Sequence, residues 1–278
     1  MDERKRINLL VTLDANYILP LRVLLHSLFL ADADALYTVY VAHASLTAED
    51  FAQIWRGIPK NRCEICPITV PEELLNDAPI LKRLSKATYY RLIAPSYLPQ
   101  SVNRILYLDP DIIVLRSLEP FYSMDLRGKL FAAAGHLEGF MNWMNLRRLR
   151  IRQSAVYVNA GVLLMDVEKL RAQGNTERIF DYVRQNGRRL LLGDQDVVNA
   201  FYDGQILPVD TRKYNLDEKI FEKYQRRGKI DAQWVRVNTA IIHYDGSKKP
   251  WNQPYSGALG AHFSNCRKDL EETIGAGL

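Results

Sequence analysis

The run Ile105-Leu106-Tyr107-Leu108-Asp109-Pro110-Asp111 ends an apolar stretch in two carboxylates one residue apart. Ile105 to Leu108 has the unbroken apolar character of a strand buried on both faces, so the acids emerge where that strand leaves the core. In extended backbone, residues i and i+2 project to the same side. Pro110 has a fixed φ and drives Asp109 toward the extended region, which limits the conformations open to the pair. Two hard oxygen ligands so placed suit Mg²⁺ or Mn²⁺. An Asp-Pro turn with two solvated acids is the plainer alternative, and the pattern needs support from elsewhere in the chain.

Further polar segments fall at the ends of expected strands and helices. Thr12-Leu13-Asp14-Ala15-Asn16-Tyr17 lacks G-x-G-x-x-G, which argues against a dinucleotide site. There Asp14 and Asn16 can hydrogen-bond a base or ribose and Tyr17 can stack on the base, although Asp14 can equally cap the first helix. Arg91, in Thr88-Tyr89-Tyr90-Arg91-Leu92, is expected on a helix, free to neutralise a phosphate or carboxylate or to join a surface ion pair. Asn159-Ala160-Gly161-Val162 lies in a strand whose small residues allow close backbone approach. Gly193-Asp194-Gln195-Asp196 opens a helix, with polar side chains that face a substrate or merely cap it. The run from Ile241 to Trp251 is a strand ending in His243, then a turn with Gly246, Lys248 and Lys249. A neutral His243 can complete a Mn²⁺ site with two carboxylates, while turn amides and a lysine hold a diphosphate. A purely structural His243 is the alternative.

The elements that must position these residues alternate. Strands are expected at 7–13, 38–44, 62–68 and 105–108, with helices at about 18–30 and from the Thr47 cap to about 57. Later strands are expected at 130–135, 156–165, 206–209 and 239–244, and helices at about 175–186 and 194–202. Such alternation implies βαβ units and a parallel sheet, whose ligands bind beyond the carboxyl ends of the strands. The stretch 135–152 lacks clear periodicity and is expected to be a mobile loop over the site. No composition break divides the chain, so one domain is expected over 1–262, followed by a tail at 263–278 that is membrane-proximal or an incomplete helix.

Composition narrows the classes. The 278 residues are 47% hydrophobic and 25% charged, ordinary for a soluble globular protein, and no apolar run is long enough to span a bilayer. The charged N-terminus runs straight into a strand without a cleavage-type site, so a cytoplasmic protein is expected. Three cysteines are too few for a disulfide framework. Cys63 and Cys66 have C-x-x-C spacing but lie inside an expected strand with no partner pair, which weakens both the zinc and the redox readings. The net charge of +5, with basic clusters at 147–152 and 223–229, points to anionic partners. No nucleic-acid motif or aromatic interleaving accompanies it, so peripheral contact with a membrane surface is placed ahead of RNA, beside a phosphorylated substrate or a solvated face.

Taken in order, Leu-Asp-Ala-Asn-Tyr, Thr-Tyr-Tyr-Arg-Leu, Tyr-Leu-Asp-Pro-Asp, Asn-Ala-Gly-Val-Leu-Leu, Asp-Gln-Asp and His-Tyr-Asp-Gly-Ser-Lys-Lys-Pro-Trp resemble glycosyltransferase family 8. This is the retaining, metal-dependent group that includes bacterial lipopolysaccharide galactosyl- and glucosyltransferases and glycogenin. The resemblance spans roughly residues 7 to 252. It implies a GT-A type α/β fold, a Rossmann-like mixed sheet flanked by helices, with a UDP-sugar donor, a glycan acceptor and Mn²⁺, or Mg²⁺ in its place. Carried over by motif, Asp109, Asp111 and His243 are the implied metal ligands, with Pro110 between the first two. Thr12, Asp14, Asn16 and Tyr17 form the implied uridine pocket, and Gly246 and Lys249 hold the diphosphate. Arg91, Asn159, Asp194 and Gln195 surround the donor sugar and the reacting centre. Ala15 stands where many relatives have a second acid, Asp245 where several have Cys, and His136 near where an acidic sugar-binding residue is common.

The implied reaction retains anomeric configuration, by front-face attack or through a covalent intermediate. Front-face attack with Asp194 binding the sugar is preferred, and a covalent Asp194 is the alternative. A phosphohydrolase built on Asp109 and Asp111 would need a further acidic cluster near a phosphate-binding glycine loop, which the sequence lacks. A non-catalytic sugar-nucleotide-binding protein would not need Asp109, Asp111, Asp194 and His243 together.

Overall fold

The computed structural model describes residues 6–82, 84–135, 139–252 and 255–276. The chain runs through β1 (Arg6–Thr12), α1 (Ile18–Ala31), β2 (Leu36–His43), α2 (Ala48–Ile54), β3 (Cys63–Thr69), β4 (Arg104–Leu108), β5 (Ile112–Val114) and β6 (Phe131–Gly135). It continues through α3 (Gly139–Leu149), β7 (Val158–Asp166), α4 (Val167–Gln173), α5 (Thr176–Asn186), α6 (Asp194–Phe201) and β8 (Ile206–Val209). Then come α7 (Glu218–Arg226), α8 (Ala232–Asn238), β9 (Ile241–His243) and α9 (Gly260–Gly275).

Seven strands form one sheet in the order β3-β2-β1-β4-β7-β6-β8, parallel except for β7, which pairs antiparallel with both neighbours. Residues alternate between the two faces. Leu10, Ile105, Tyr107, Leu163 and Met165 pack into one core, and Leu9, Val11, Leu106, Leu108, Val162 and Leu164 into the other. Burial on both faces explains why these strands read as continuous apolar runs rather than as alternating ones. A separate two-stranded antiparallel sheet pairs β5 with β9, Ile112 opposite His243, above a third core that includes Ile113, Ile242, Phe263 and Leu270. Helix α1 fits between the large sheet and this strand pair and is therefore apolar nearly all round. Thr47 and Asp50 form the expected reciprocal capping box of α2.

The structure corrects three expectations. Part of the stretch read as a mobile loop is α3, an eleven-residue helix. Its buried residues are Asn145 and Leu149, while Phe140, Met141, Trp143 and Met144 are exposed, so the apolar periodicity that normally reveals a helix points the opposite way. Arg91 lies not on a helix but in the turn between two short helical segments, Lys86–Tyr89 and Ala94–Tyr97. The division expected at 262/263 falls inside α9, whose Phe263, Cys266 and Leu270 are buried in the third core and whose Asp269 meets His26 of α1 at 2.6 Å. Among the described residues, no helix is long and apolar enough to cross a membrane. Cys63 is buried and unpaired in β3, and burial pushes its thiol up to about 12, which leaves it unreactive.

Candidate active site

The single antiparallel strand decides what gathers at one edge of the sheet. Parallel β1 and β4 deliver Thr12 and Asp109 at their carboxyl ends, whereas β7 arrives at the same edge with its first residues. The Asp109 N–H donates to the Gly161 carbonyl at 2.8 Å, which sets Asn159, Ala160 and Gly161 directly beside the acid. The β5–β9 pair supplies the opposite wall. Tyr244 N–H donates to the Asp111 carbonyl at 3.0 Å, and β9 thereby presents His243 to both carboxylates.

Asp109, Asp111 and His243 each offer one ligand atom, and these atoms lie within 4.8 Å of one another. His243 Nε2 is 3.2 Å from Asp111 Oδ1 and 3.6 Å from Asp109 Oδ2. Its other nitrogen, Nδ1, donates to Asn215 Oδ1 at 2.8 Å, an arrangement that turns the Nε2 lone pair of a neutral imidazole toward the carboxylates. Asp111 Oδ1 is buried, and the contact facing it is His243 Nε2. Three converging lone-pair donors, one of them this buried carboxylate oxygen, fit a divalent cation accepting hard oxygen and imidazole nitrogen. The same groups share charge among themselves. Burial alone would raise the Asp111 carboxyl, yet His243 and Lys249 outweigh it and lower it to about 2. Burial alone would lower His243, yet the acids, Asp111 foremost, raise it to about 9.

Gly161 is where space is tightest. A Cβ there would sit 2.5 Å from Asp109 Oδ2 and closer still to His243 Cε1. The cage exists because this residue has no side chain.

Behind the cage, Arg91 ties three elements together. Its guanidinium meets Asp109 Oδ1 at 3.0 Å and Asp194 Oδ2 at 2.9 Å, donates to the Ala160 carbonyl at 3.0 Å, and lies 4.4 Å over the Tyr107 ring. One planar fork serves two carboxylates and a carbonyl, each from a different nitrogen in a fixed direction. Tyr107 in turn donates to Asp109 Oδ1 at 2.6 Å and shares a 3.0 Å hydrogen bond with Thr12. Burial raises the Asp194 carboxyl while Arg91 opposes the rise.

Two clefts of about 350 Å³ each meet at Arg91, Asp109 and Asp111. Thr12, Asp14, Tyr17 and Pro110 line the first, with Ala44, Ser45, Thr88 and Tyr90. Asn159, Gly161, Asp194, Gln195, His243 and Lys249 line the second, with Leu192 and Asp245. Lys249 Nζ donates to Asp111 Oδ2 at 2.6 Å, and Gln195 accepts from the Ala160 N–H at 3.4 Å. Two expected residues stand apart. Asn16 is exposed outside both clefts, and Gly246 lines a neighbouring depression with Asp217, Glu218 and Tyr255. Asp14 does cap, accepting from the Asn16 N–H at 2.9 Å, while still lining the first cleft. Asp194 is the first residue of α6 rather than its cap, which is Gly193 at a φ of 64°. His136 lies outside the described residues.

Sequence reasoning missed Tyr107 and Asn215. Tyr107 is a polar tip within an apolar run, at the same strand parity as Asp109, and that parity was a usable signal. Asn215 carries no such mark. It precedes Leu216, whose backbone bonds Ile241 and His243 at 3.0 and 2.9 Å, so only the three-dimensional pairing reveals it.

Comparison with known proteins agrees with this geometry. The family model described as glycosyl transferase family 8 matches residues 8–254. A lipopolysaccharide 1,2-glucosyltransferase of Escherichia coli is 24% identical over 270 residues, 95% of this chain and 79% of that protein. General stress protein A of Bacillus subtilis is 28% identical over 176 residues, 61% of this chain and 60% of that protein. The crystal structure of the galactosyltransferase LgtC with donor and acceptor sugar analogues superposes with a TM-score of 0.81 at 25% identity, covering 95% of this chain and 96% of that one. The mixed sheet flanked by helices is thus a GT-A type glycosyltransferase fold, and the chain belongs to glycosyl transferase family 8.

Proposed function

We propose that the protein is a retaining hexosyltransferase that moves galactose or glucose from a UDP-sugar to a glycan or lipopolysaccharide-type acceptor with Mn²⁺. The observation that carries this reading is the convergence of Asp109, Asp111 and His243 where the two clefts meet. Relatives named as lipopolysaccharide 1,2-glucosyltransferase and, in Salmonella typhimurium, lipopolysaccharide 1,3-galactosyltransferase support the substrate class. The reaction is assigned to the cytoplasm.

Thr12, Asp14 and Tyr17 line the cleft assigned to the nucleoside, and Asn16 is exposed beside Asp14. Held by Asp109, Asp111 and His243, Mn²⁺, or Mg²⁺ in its place, supplies Lewis-acid neutralisation of the diphosphate. Lys249, beside Asp111, adds a positive charge there. Arg91 keeps Asp109 and Asp194 in fixed orientation through one buried fork. Asn159, Asp194 and Gln195 face the cleft assigned to the donor sugar. An Asp194 carboxylate already bound by Arg91 is a poor nucleophile and a good hydrogen-bond acceptor for sugar hydroxyls. That supports attack by the acceptor hydroxyl on the face that the diphosphate leaves, the hydroxyl proton passing to the departing phosphate oxygen.

The test is UDP release from UDP-galactose and UDP-glucose with Mn²⁺. Release should require the metal, stop with a chelator, and be lost in Asp111→Asn and His243→Ala with the melting temperature still showing a folded protein. Full activity in either variant overturns the metal assignment. Release of inorganic phosphate instead of UDP would indicate a phosphohydrolase, and tight UDP binding without release a binding protein.

A further inference from the structure

Helix α3 is amphipathic with its faces reversed. Phe140, Trp143, Met144 and Arg147 fall at i, i+3, i+4 and i+7, so they share one stripe, with Met141 at its margin. That stripe faces solvent: Phe140 is 70% exposed, Trp143 53%, Met141 48% and Met144 40%. Phe140 stacks on Trp143 at 5.6 Å, and the Arg147 guanidinium lies 5.6 Å from the Trp143 ring. The inward side is held by polar contacts. Asn142 donates to the Ala155 carbonyl and accepts from the Tyr157 N–H, and Arg148 forms a fork to the fully buried Asp196 at 2.8 Å. A rigidly seated helix therefore exposes four large apolar side chains, far more than a solvated face requires.

Charge says what covers them. From Gly139 to Met165 the chain contains no Asp or Glu, while Arg147 on the stripe and Arg150 and Arg152 just beyond the helix are exposed. Arg148 also donates to the Arg189 carbonyl, seating next to the helix a segment on which Arg188 and Leu191 are exposed. Aromatic and thioether side chains ringed by arginines match the boundary between acyl chains and anionic headgroups. The helix also adjoins the reaction site: Tyr157 precedes Asn159 by two residues, and Asp196 follows Asp194 by two.

We propose that α3 docks on an anionic lipid bilayer through Phe140, Met141, Trp143 and Met144, with Arg147, Arg150 and Arg152 on the headgroups, so that the site containing Asp109 and Asp194 opens beside the membrane. The lipid contact is separate from the transfer reaction, and its test contains no sugar nucleotide. The whole protein is sedimented with vesicles of phosphatidylglycerol and phosphatidylethanolamine, or of phosphatidylcholine alone. Binding is expected to the anionic vesicles and to fall with salt. Phe140→Ser and Trp143→Ser should each weaken it about tenfold. Arg147→Gln should weaken it about fivefold. Melting temperatures should not change, since these side chains are exposed, and UDP release to a soluble acceptor should be unaffected in Phe140→Ser. Brominated lipid should quench Trp143 emission, a quench lost in Trp143→Phe. Failure to sediment with anionic vesicles, undiminished binding in the serine variants, or self-association abolished by Phe140→Ser without vesicle binding would each overturn the proposal.

Discussion

Gly161→Ala tests whether the cage is as rigid as its contacts imply. The obstacle is space alone, since Gly161 does not use a positive φ. An added Cβ would lie 2.5 Å from Asp109 Oδ2, about 1 Å inside ordinary carbon–oxygen contact. The backbone is poorly placed to retreat: Gly161 N–H bonds Asn159 Oδ1 at 2.7 Å, and its carbonyl accepts from Asp109 at 2.8 Å. Asp109 is braced by Tyr107 at 2.6 Å and Arg91 at 3.0 Å, and His243 by Asn215 at 2.8 Å. Overpacking of this kind costs about 1–3 kcal/mol in the folded state. Displacing two ligands by a fraction of an ångström should weaken Mn²⁺ binding about 10–100-fold. Transfer should fall at least about 100-fold if the reacting groups shift with them. Mn²⁺ titration followed by electron paramagnetic resonance gives the affinity, UDP release the activity, and urea unfolding the stability. Wild-type affinity and activity in Gly161→Ala would refute both the cage and its assignment to a metal.

Three more predictions follow from neighbouring contacts. Arg91→Met should destabilise by about 3 kcal/mol in urea unfolding, because it leaves the half-buried Asp109 and Asp194 without their shared cation. Asn215→Leu, which removes the acceptor for His243 Nδ1, should weaken Mn²⁺ binding about 10–100-fold, and Asn215→Asp should largely preserve it. Burial and the nearby Asp245 raise the Asp217 carboxyl from 3.8 to about 6, so the folded chain keeps a proton that the unfolded chain loses over that window, and this group's contribution to stability falls as pH rises from 4 to 6. Asp217→Asn, which can still accept from the Ile220 N–H, should therefore be more stable than wild type by up to about 3 kcal/mol at pH 7.5 and indistinguishable below pH 4, as read from urea midpoints.

Much of this architecture could be read from the chain because two-sided burial leaves unmistakable apolar runs, as at 105–108 and 158–166. Asp109, Asp111 and His243 were legible as residue types at strand ends. Their mutual geometry was not, since it depends on the antiparallel pairing of β5 with β9 across more than a hundred residues. Arg91 was found as a cation but assigned open partners, whereas its two acids come from β4 and α6. Helix α3 escaped because its apolar stripe faces outward, the reverse of what periodicity arguments assume. Asn16 and Gly246 came forward with their motifs, yet the backbone turns the first to solvent and the second to an adjoining hollow.

The packing of α9 bears on when this protein becomes competent during its own synthesis. β1 to β4, and with them Asp109, can assemble on early chain, but the strand carrying His243 rests on Phe263, Cys266 and Leu270. Until those residues have left the ribosome, the third core lacks one of its walls and the strand pair lacks support. A nascent chain that has released Asp109 but not α9 therefore holds only part of its cage, and α9 acts as the latch on the chemistry.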